Sequence, residues 1–425
     1  MRIAIGLLFV CLTALAQSPA GQWISDTQWL DRHNWQRMVL TVNGDQVTGK
    51  YGDTDLAGTF RNGSLEATVN RGQSVMELHG RLEGGDRIVG TGKSTNGDNR
   101  VELSWDARRL PAPATPRTHT FEPTVFQHFF SEQTEPVLHI ALGDTVKTWS
   151  VDAGGWDPKG VRRTSGGNPL TGPFYVDGAV PDDTLVIHFT RIRLNRDSAI
   201  SGDLIVNSAL NPGYVAQRKP VKDYDSDWKI DRAAGFAMLM KPTDALKDYR
   251  VPLAPMLGCV GVAPGSGNQY RSGSLGFYGG NMDYNQLREG VTVYLPVSVP
   301  GALLFVGDGH ATQGAGELTG DALETSMDIE FTVDVLPGVG LPAPRFENAD
   351  YLMASGIAGS VDDALRGATT NLARWLEKKY GLNAAQVSSV LGTAMVYDVA
   401  EVVDPSIHVV AKVPKSVLAA LKIVN

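Results

Sequence analysis

A mainly β protein in several parts is predicted by three observations on this 425-residue chain. Its 47 glycines and 23 prolines are scattered without a repeat period, as expected for many tight turns between short strands. Strand-like runs alternate with turn residues from residue 21 to about 345, as in Met38-Val39-Leu40-Thr41-Val42, then Asn43-Gly44-Asp45, then Gln46-Val47-Thr48-Gly49-Lys50-Tyr51. Apolar residues take up a helical period only beyond residue 350.

Residues 1–16 read as a signal peptide. Met1-Arg2 gives a positive start, Ile3 to Ala14 an apolar stretch, and Ala14-Leu15-Ala16 a small-x-small cleavage pattern that makes Gln17 the expected mature start. The stretch is short for a membrane span, and the residues after Cys11 do not form a lipoprotein signal. A soluble periplasmic or secreted protein is expected, with no membrane span. Its one remaining cysteine, Cys259, excludes an internal disulfide.

Residues 17–110 form an expected small β domain, an antiparallel barrel or sandwich. Asn62-Gly63, Gly84-Gly85 and Asn96-Gly97 recur at hairpin spacing. Trp23, Trp29, Trp35 and Trp105 read as core or cap residues of this domain. The prolines of Leu110-Pro111-Ala112-Pro113-Ala114-Thr115-Pro116 make 111–118 an extended linker. A β-rich core follows at 119–345, with strands such as Thr184 to Phe189 and Val291 to Val297. Glycine-rich loops at 152–172, 264–283 and 307–320 lie between its strands, and loops on a rigid sheet are where sites gather. Residues 346–425 read as an α/β end. Val361, Ala364, Leu365, Ala368, Leu372, Trp375 and Leu376 keep helical spacing to Tyr380-Gly381, and Asn383 caps a second helix. A strand at Ile407 to Val413 and a last helix near 415–423 complete it.

The formal charge of −8, with Lys and Arg dispersed, offers no basic face to a phosphate backbone, so nucleic acid is excluded as a partner. No Gly-x-Ser-x-Gly elbow is present. Cys259 lies in the apolar run Met256 to Val262 without a charged neighbour to lower its pKa, and reads as a buried structural thiol.

Five stretches, taken in order, resemble the acetamidase/formamidase family: Gly143-Asp144-Thr145-Val146 leading to Asp152; Asn168 to Ala179; Pro255 to Pro264; Gly279-Gly280-Asn281-Met282-Asp283; and Gly307-Asp308-Gly309-His310-Ala311-Thr312-Gln313-Gly314-Ala315-Gly316-Glu317. The resemblance covers residues from about 119 to 415 and leaves the N-terminal β module outside it. It implies a β-sandwich and small barrel with an α/β C-terminal part, a homo-oligomer, and hydrolysis of short linear amides. It further implies a divalent metal, expected to be zinc.

Amide hydrolysis needs an activated water, an oxyanion stabiliser and a proton for the departing nitrogen, and a divalent metal with a carboxylic acid can supply them. His310, Asp283 and Asp308 are the expected metal ligands. Glu317, Asp152 and Asp308 are the expected catalytic carboxylates, and Gly279, Gly280, Asn281 and Gln313 the expected substrate-binding residues. Glu324 reads as either a solvated charge or a pocket-facing acid. Asp177, in an otherwise apolar strand, requires a partner. The chain departs from the family at Ala315, where an acidic residue is usual. The alternative reading is a non-catalytic exported protein that binds a ligand or sugar on the same scaffold.

Overall fold

The computed structural model describes residues 18–219, 221 and 224–424. The signal-peptide segment, with Cys11 and Gln17, lies outside the described residues. The chain divides into two compact units at Leu110 and Pro111.

In the first unit, eight antiparallel strands run from Gly21–Trp29 to Asn99–Arg109, each paired with the next. Closure comes from the first strand, where Trp23 stands opposite Met38 on one side and Arg109 on the other. The expected barrel or sandwich is thus a closed barrel, without the unpaired edges that a sandwich exposes. The hairpins follow from their turn residues. Asn62 and Gly63 both take positive φ, 51° and 80°, the geometry that matches the twist of the flanking strands. Alternation fills the interior: in Ser64–Arg71, Leu65, Ala67 and Val69 are buried. Trp23, Tyr51 and Trp105 are fully enclosed, Trp29 is exposed, and Trp105 Nε1 donates to Ser25 Oγ at 2.8 Å. Eight strands leave room for such side chains and little else.

The second unit is built on two larger sheets. A six-stranded sheet has the order Leu138–Ile140, Leu170–Val176, Leu304–His310, Met256–Val262, Gly279–Asn281, Leu275–Gly276. A nine-stranded sheet runs from Val396–Glu401 through Ile407–Pro414, Tyr351–Ala358, Arg345–Glu347, Thr292–Pro296, Thr184–Leu194, Met327–Leu336 and Thr145–Ser150 to Thr118–Thr120. Met327, Ile329, Phe331, Val333 and Val335 alternate into the shared core, where Phe331 meets Phe174 edge to face. Met256–Val262 and Leu304–His310 are instead buried at every position, the pattern of strands covered on both faces. A four-stranded sheet of Ser198–Ile200, Asp227–Asp231, Phe236–Leu239 and Val251–Pro252 stands beside them.

The helix Val361–Tyr380 starts at Ser360, whose side chain accepts from Asp363 N, and stops at Gly381 with φ 63°. Its buried face, Ala364, Ala368, Leu372 and Leu376, joins the core formed with Leu352, Val409 and Ala411. Asn383 and Gln386 form a capping box for Ala384–Ala394. The C-terminal strands belong to the nine-stranded sheet, so 346–425 is continuous with the core. The expected last helix is only Lys415–Leu418. Among the described residues no helix is long and apolar enough to cross a membrane.

Candidate active site

The site forms where three strands of the six-stranded sheet lie side by side. Met256–Val262 pairs with Leu304–His310 at Leu257 with Gly309 and at Cys259 with Gly307, and pairs with Gly279–Asn281 on its other side. Gly258 O accepts from Met282 N and Asp283 N, which draws Asp283 across the same strand. A side chain at Gly258 has no room: its Cβ would stand 2.4 Å from Asp283 Oδ1 and 2.5 Å from Asp308 Oδ2. The missing side chain is the space that the two carboxylates occupy.

Asp308 and His310 are two apart on one strand and point to one face. The chain after His310 turns back so that His310 bridges Glu324, and Gly316 is held by the carbonyls of Val399 and Ala400. That path places Glu317 and Glu324 against the histidine. His310 Nε2 stands 3.1 Å from Glu324 Oε1, 3.5 Å from Asp308 Oδ2 and 4.0 Å from Asp283 Oδ1. Asp283, Asp308, His310, Glu317 and Glu324 are all buried. Two triads, Asp283 with His310 and Glu317, and Asp308 with His310 and Glu324, each bring ligand atoms within 4.8 Å of one another.

Gln313 sets the protonation of the ring. Its amide nitrogen donates to Asp283 O at 2.5 Å, so its oxygen must accept from His310 Nδ1 at 2.9 Å. Neutral His310 then presents a bare Nε2 lone pair to carboxylate oxygens. His310 Nε2, Asp283 Oδ1, Asp308 Oδ1 and Glu324 Oε2 find no hydrogen-bond partner. A lone pair facing buried anions is costly unless a cation or protons intervene. The titrations carry the same signature. Burial and then the Glu317 and Asp308 charges hold Asp283 well above its ordinary value. Burial pushes Glu324 up to about 8, with Asp308 adding to it and His310 opposing. Glu317 is raised by burial, and by Glu324 and Asp308 against His310. His310 is itself raised, because Glu324 and Asp308 outweigh its burial.

The backbone is strained at the same residues. Asp283 at φ 41°, Asp308 at 58°, Glu317 at 47° and Asn168 at 55° all adopt the left-handed region, at a cost of order 1–3 kcal/mol each. Such strain gathers where the surroundings impose a functional geometry.

Other expected residues take different places. Asn281 donates to Asp283 Oδ2 at 2.6 Å and Asp404 Oδ2 at 2.9 Å, and its oxygen accepts from Asn168 and Cys259. It ties the carboxylates together and has no free amide proton for a substrate. Gly279 and Gly280 are buried between strands, where a Cβ would strike Val260 O or Ser274 O, so their part is close strand packing. Asp152 is engaged by Arg196, which also reaches Glu324 O at 3.5 Å. Its carboxylate is held in an ion pair apart from the histidine, and it braces the Glu324 segment. Asp177 meets His139 Nδ1 at 3.2 Å. Cys259 is buried, with its thiol pushed well up by burial and by Asp308. Ala315 is exposed, so an acid there would face solvent. Gly258, Asn168 and Asp404 escaped sequence reasoning. Asn168 Nδ2 donates to Asp308 Oδ2 at 3.1 Å, and burial brings Asp404 to about 6. Only the neighbouring Asn168-Pro169 and Gly258-Cys259 stretches carried a signal.

A buried, strained ring of carboxylates around one histidine, on a β scaffold, is a group of side chains that could hold a metal ion. Residues 277–420 match the model of the Acetamidase/Formamidase family. The chain is 35% identical over 142 residues to the formamidase of Methylophilus methylotrophus, a match that spans 28% of this chain and about a third, 34%, of that relative. It shares its fold with an acetamidase from Yersinia enterocolitica, at a TM-score of 0.61 and 27% identity over 72% of this chain and 94% of the other. A protein described as a predicted acetamidase/formamidase from Thermoanaerobacter tengcongensis aligns at a TM-score of 0.60 and 25% identity, over 72% of this chain and 98% of that one. Residues 277–420 thus carry the pattern of the acetamidase/formamidase family, and the second unit is similar in fold to solved acetamidases, with an eight-stranded barrel ahead of it in the sequence.

Proposed function

We propose that the protein is an exported amidohydrolase that cleaves the carbon–nitrogen bond of linear amides with the help of a divalent cation. The observation that carries this reading is the group of unpartnered atoms, His310 Nε2, Asp283 Oδ1, Asp308 Oδ1 and Glu324 Oε2, buried at one point. One imidazole and several carboxylate oxygens suit zinc or a similar ion, and His310, Asp283 and Asp308 would hold it, with Glu324 beside them. A bound divalent cation polarises the amide carbonyl and acidifies a water molecule.

The chain's own residues supply the rest. Gln313 fixes the His310 tautomer and Asn281 orients Asp283, the supporting contacts on which such sites depend. Glu317 lines the adjoining cavity. Burial raises its pKa, the direction that favours its taking up a proton during the reaction. Glu317 takes a proton from the attacking water as oxygen bonds to the carbonyl carbon, then returns it to nitrogen as the carbon–nitrogen bond breaks. An amide and water thereby give a carboxylic acid and ammonia. Export rests on the leader pattern of residues 1–16.

Ammonia release from formamide and acetamide, assayed after chelation and after readdition of Zn²⁺, tests the reading. Activity lost with the chelator and restored by the ion is expected. Stoichiometric ion without ammonia release from a broad amide panel would sink it and favour the ligand-binding alternative.

A further inference from the structure

A cavity of about 540 Å³ adjoins the cluster, and Gln313 and Glu317 belong to both. Its apolar lining comes from Trp228, Leu239, Tyr249 and Val251 of the 198–252 region, faced by Leu318 and Leu323. Trp228 and Tyr249 meet edge to face, with centroids 6.2 Å apart. The indole nitrogen is satisfied by Ser201 Oγ at 3.0 Å, which leaves the ring as an apolar surface.

Formamide and acetamide contain three and four non-hydrogen atoms. A water molecule claims about 30 Å³ of liquid, so amides of that size leave most of this space unfilled. The volume falls in the range of about 300–1,000 Å³ that accommodates ring-containing ligands. Resting on the amidase reading above, we propose that the cavity is the substrate-side pocket and selects amides that bear a ring-sized apolar group. Trp228, Tyr249 and Leu239 are then specificity residues, and Glu317 stands where that group joins the reacting amide.

The test compares kcat/KM of the full-length Zn²⁺-loaded protein for acetamide, phenylacetamide and N-benzylacetamide, alongside calorimetric binding of phenylacetamide. At least one aromatic amide should exceed acetamide by about tenfold or more, the scale of one well-filled apolar contact. Tyr249→Ala should lower the ratio of kcat/KM for that amide to kcat/KM for acetamide by a similar factor. Ser226→Trp, at a position that lines the cavity, should narrow it and lower turnover and binding of that amide far more than cleavage of acetamide. Acetamide turnover with both aromatic amides inert overturns the pocket and leaves the amidase reading standing. Phenylacetamide binding that Ser226→Trp lowers, without cleavage of any amide, overturns the amidase reading and keeps the pocket. Neither binding nor cleavage overturns both.

Discussion

Inside the eight-stranded barrel, Ser25 Oγ accepts from Trp105 Nε1 and reaches Tyr51 Oη at 3.4 Å, so these three buried polar side chains form one chain of contacts. Inside the second unit, four carboxylates crowd one histidine, and an oxygen of Asp283, Asp308 and Glu324 stays unpartnered. The barrel's hairpin turns place positive φ on Leu30, Asn62 and several glycines, while the site gathers it on the carboxylates Asp283, Asp308 and Glu317. One interior is filled mainly by apolar side chains, and the other gathers like charges and strained backbone at one point. Sites that perform chemistry commonly violate local rules in this way.

The largest expected effect lies in the strained unit. His310→Ala should lower both ion affinity and ammonia release by more than the 10–100-fold that loss of a supporting contact costs. Thermal stability of the chelated variant should fall only by what the Gln313 hydrogen bond and the vacated volume cost, because Nε2 has no partner to lose. A large stability loss would show that the cluster is structural.

The barrel should behave in the opposite sense. Trp105→Ala should cost about 3–5 kcal/mol in that unit, as large-to-small changes in packed cores do, with kcat on acetamide unchanged once folded. A matching fall in kcat would break the separation between the two regions.

A third test sits between these extremes. His408 is buried, with Nδ1 on Met282 O at 2.7 Å and Nε2 near Ser355 Oγ at 2.8 Å. Burial depresses it to about 4, against the pull of the Met282 carbonyl. Between its ordinary value of 6.5 and pH 4 the unfolded chain takes up a proton that the native protein does not. Its contribution, about 3 kcal/mol, is therefore complete above pH 6.5 and lost as pH falls through that window. The raised carboxylates act in the reverse sense, so the difference between wild type and His408→Gln isolates it. Urea unfolding at pH 7.5 and 4.5 should show a steeper acid loss for wild type, and equal losses would remove His408 from the balance.

The smallest effect is expected at Ala315. Because that position is exposed, Ala315→Asp should leave turnover unchanged. A gain on acetamide would mean that the loop closes over the site during the reaction.

Much of the first unit was legible because its information is local. Asn62-Gly63 and its counterparts fix hairpins between neighbouring strands, although whether those strands close into a barrel depends on a contact from Trp23 to Arg109. In the second unit the run Gly307 to Glu317 announced Asp308, His310, Gln313 and Glu317 together. Glu324 was ambiguous because its alternating pattern describes a strand whichever way the acid points. Asp404 was invisible, since it meets Asn281 across 123 residues. Gly258 looked like one more small residue in an apolar run, and its meaning appears only against Asp283 and Asp308. Asp152, expected as a catalytic carboxylate, and Asn281, expected to bind substrate, are engaged by Arg196 and Asp404, partners far away in the sequence.

The distribution of the site along the chain bears on biogenesis. Asn168, Gly258, Asp283, His310, Glu324 and Asp404 come from segments spread over more than half of the sequence. A chain emerging in order cannot complete the cluster until the segment that carries Asp404 has docked. An ion captured in full coordination would therefore report that assembly has finished. Long-range contacts of this kind form late, and binding would lock a completed fold, with little scope to nucleate one.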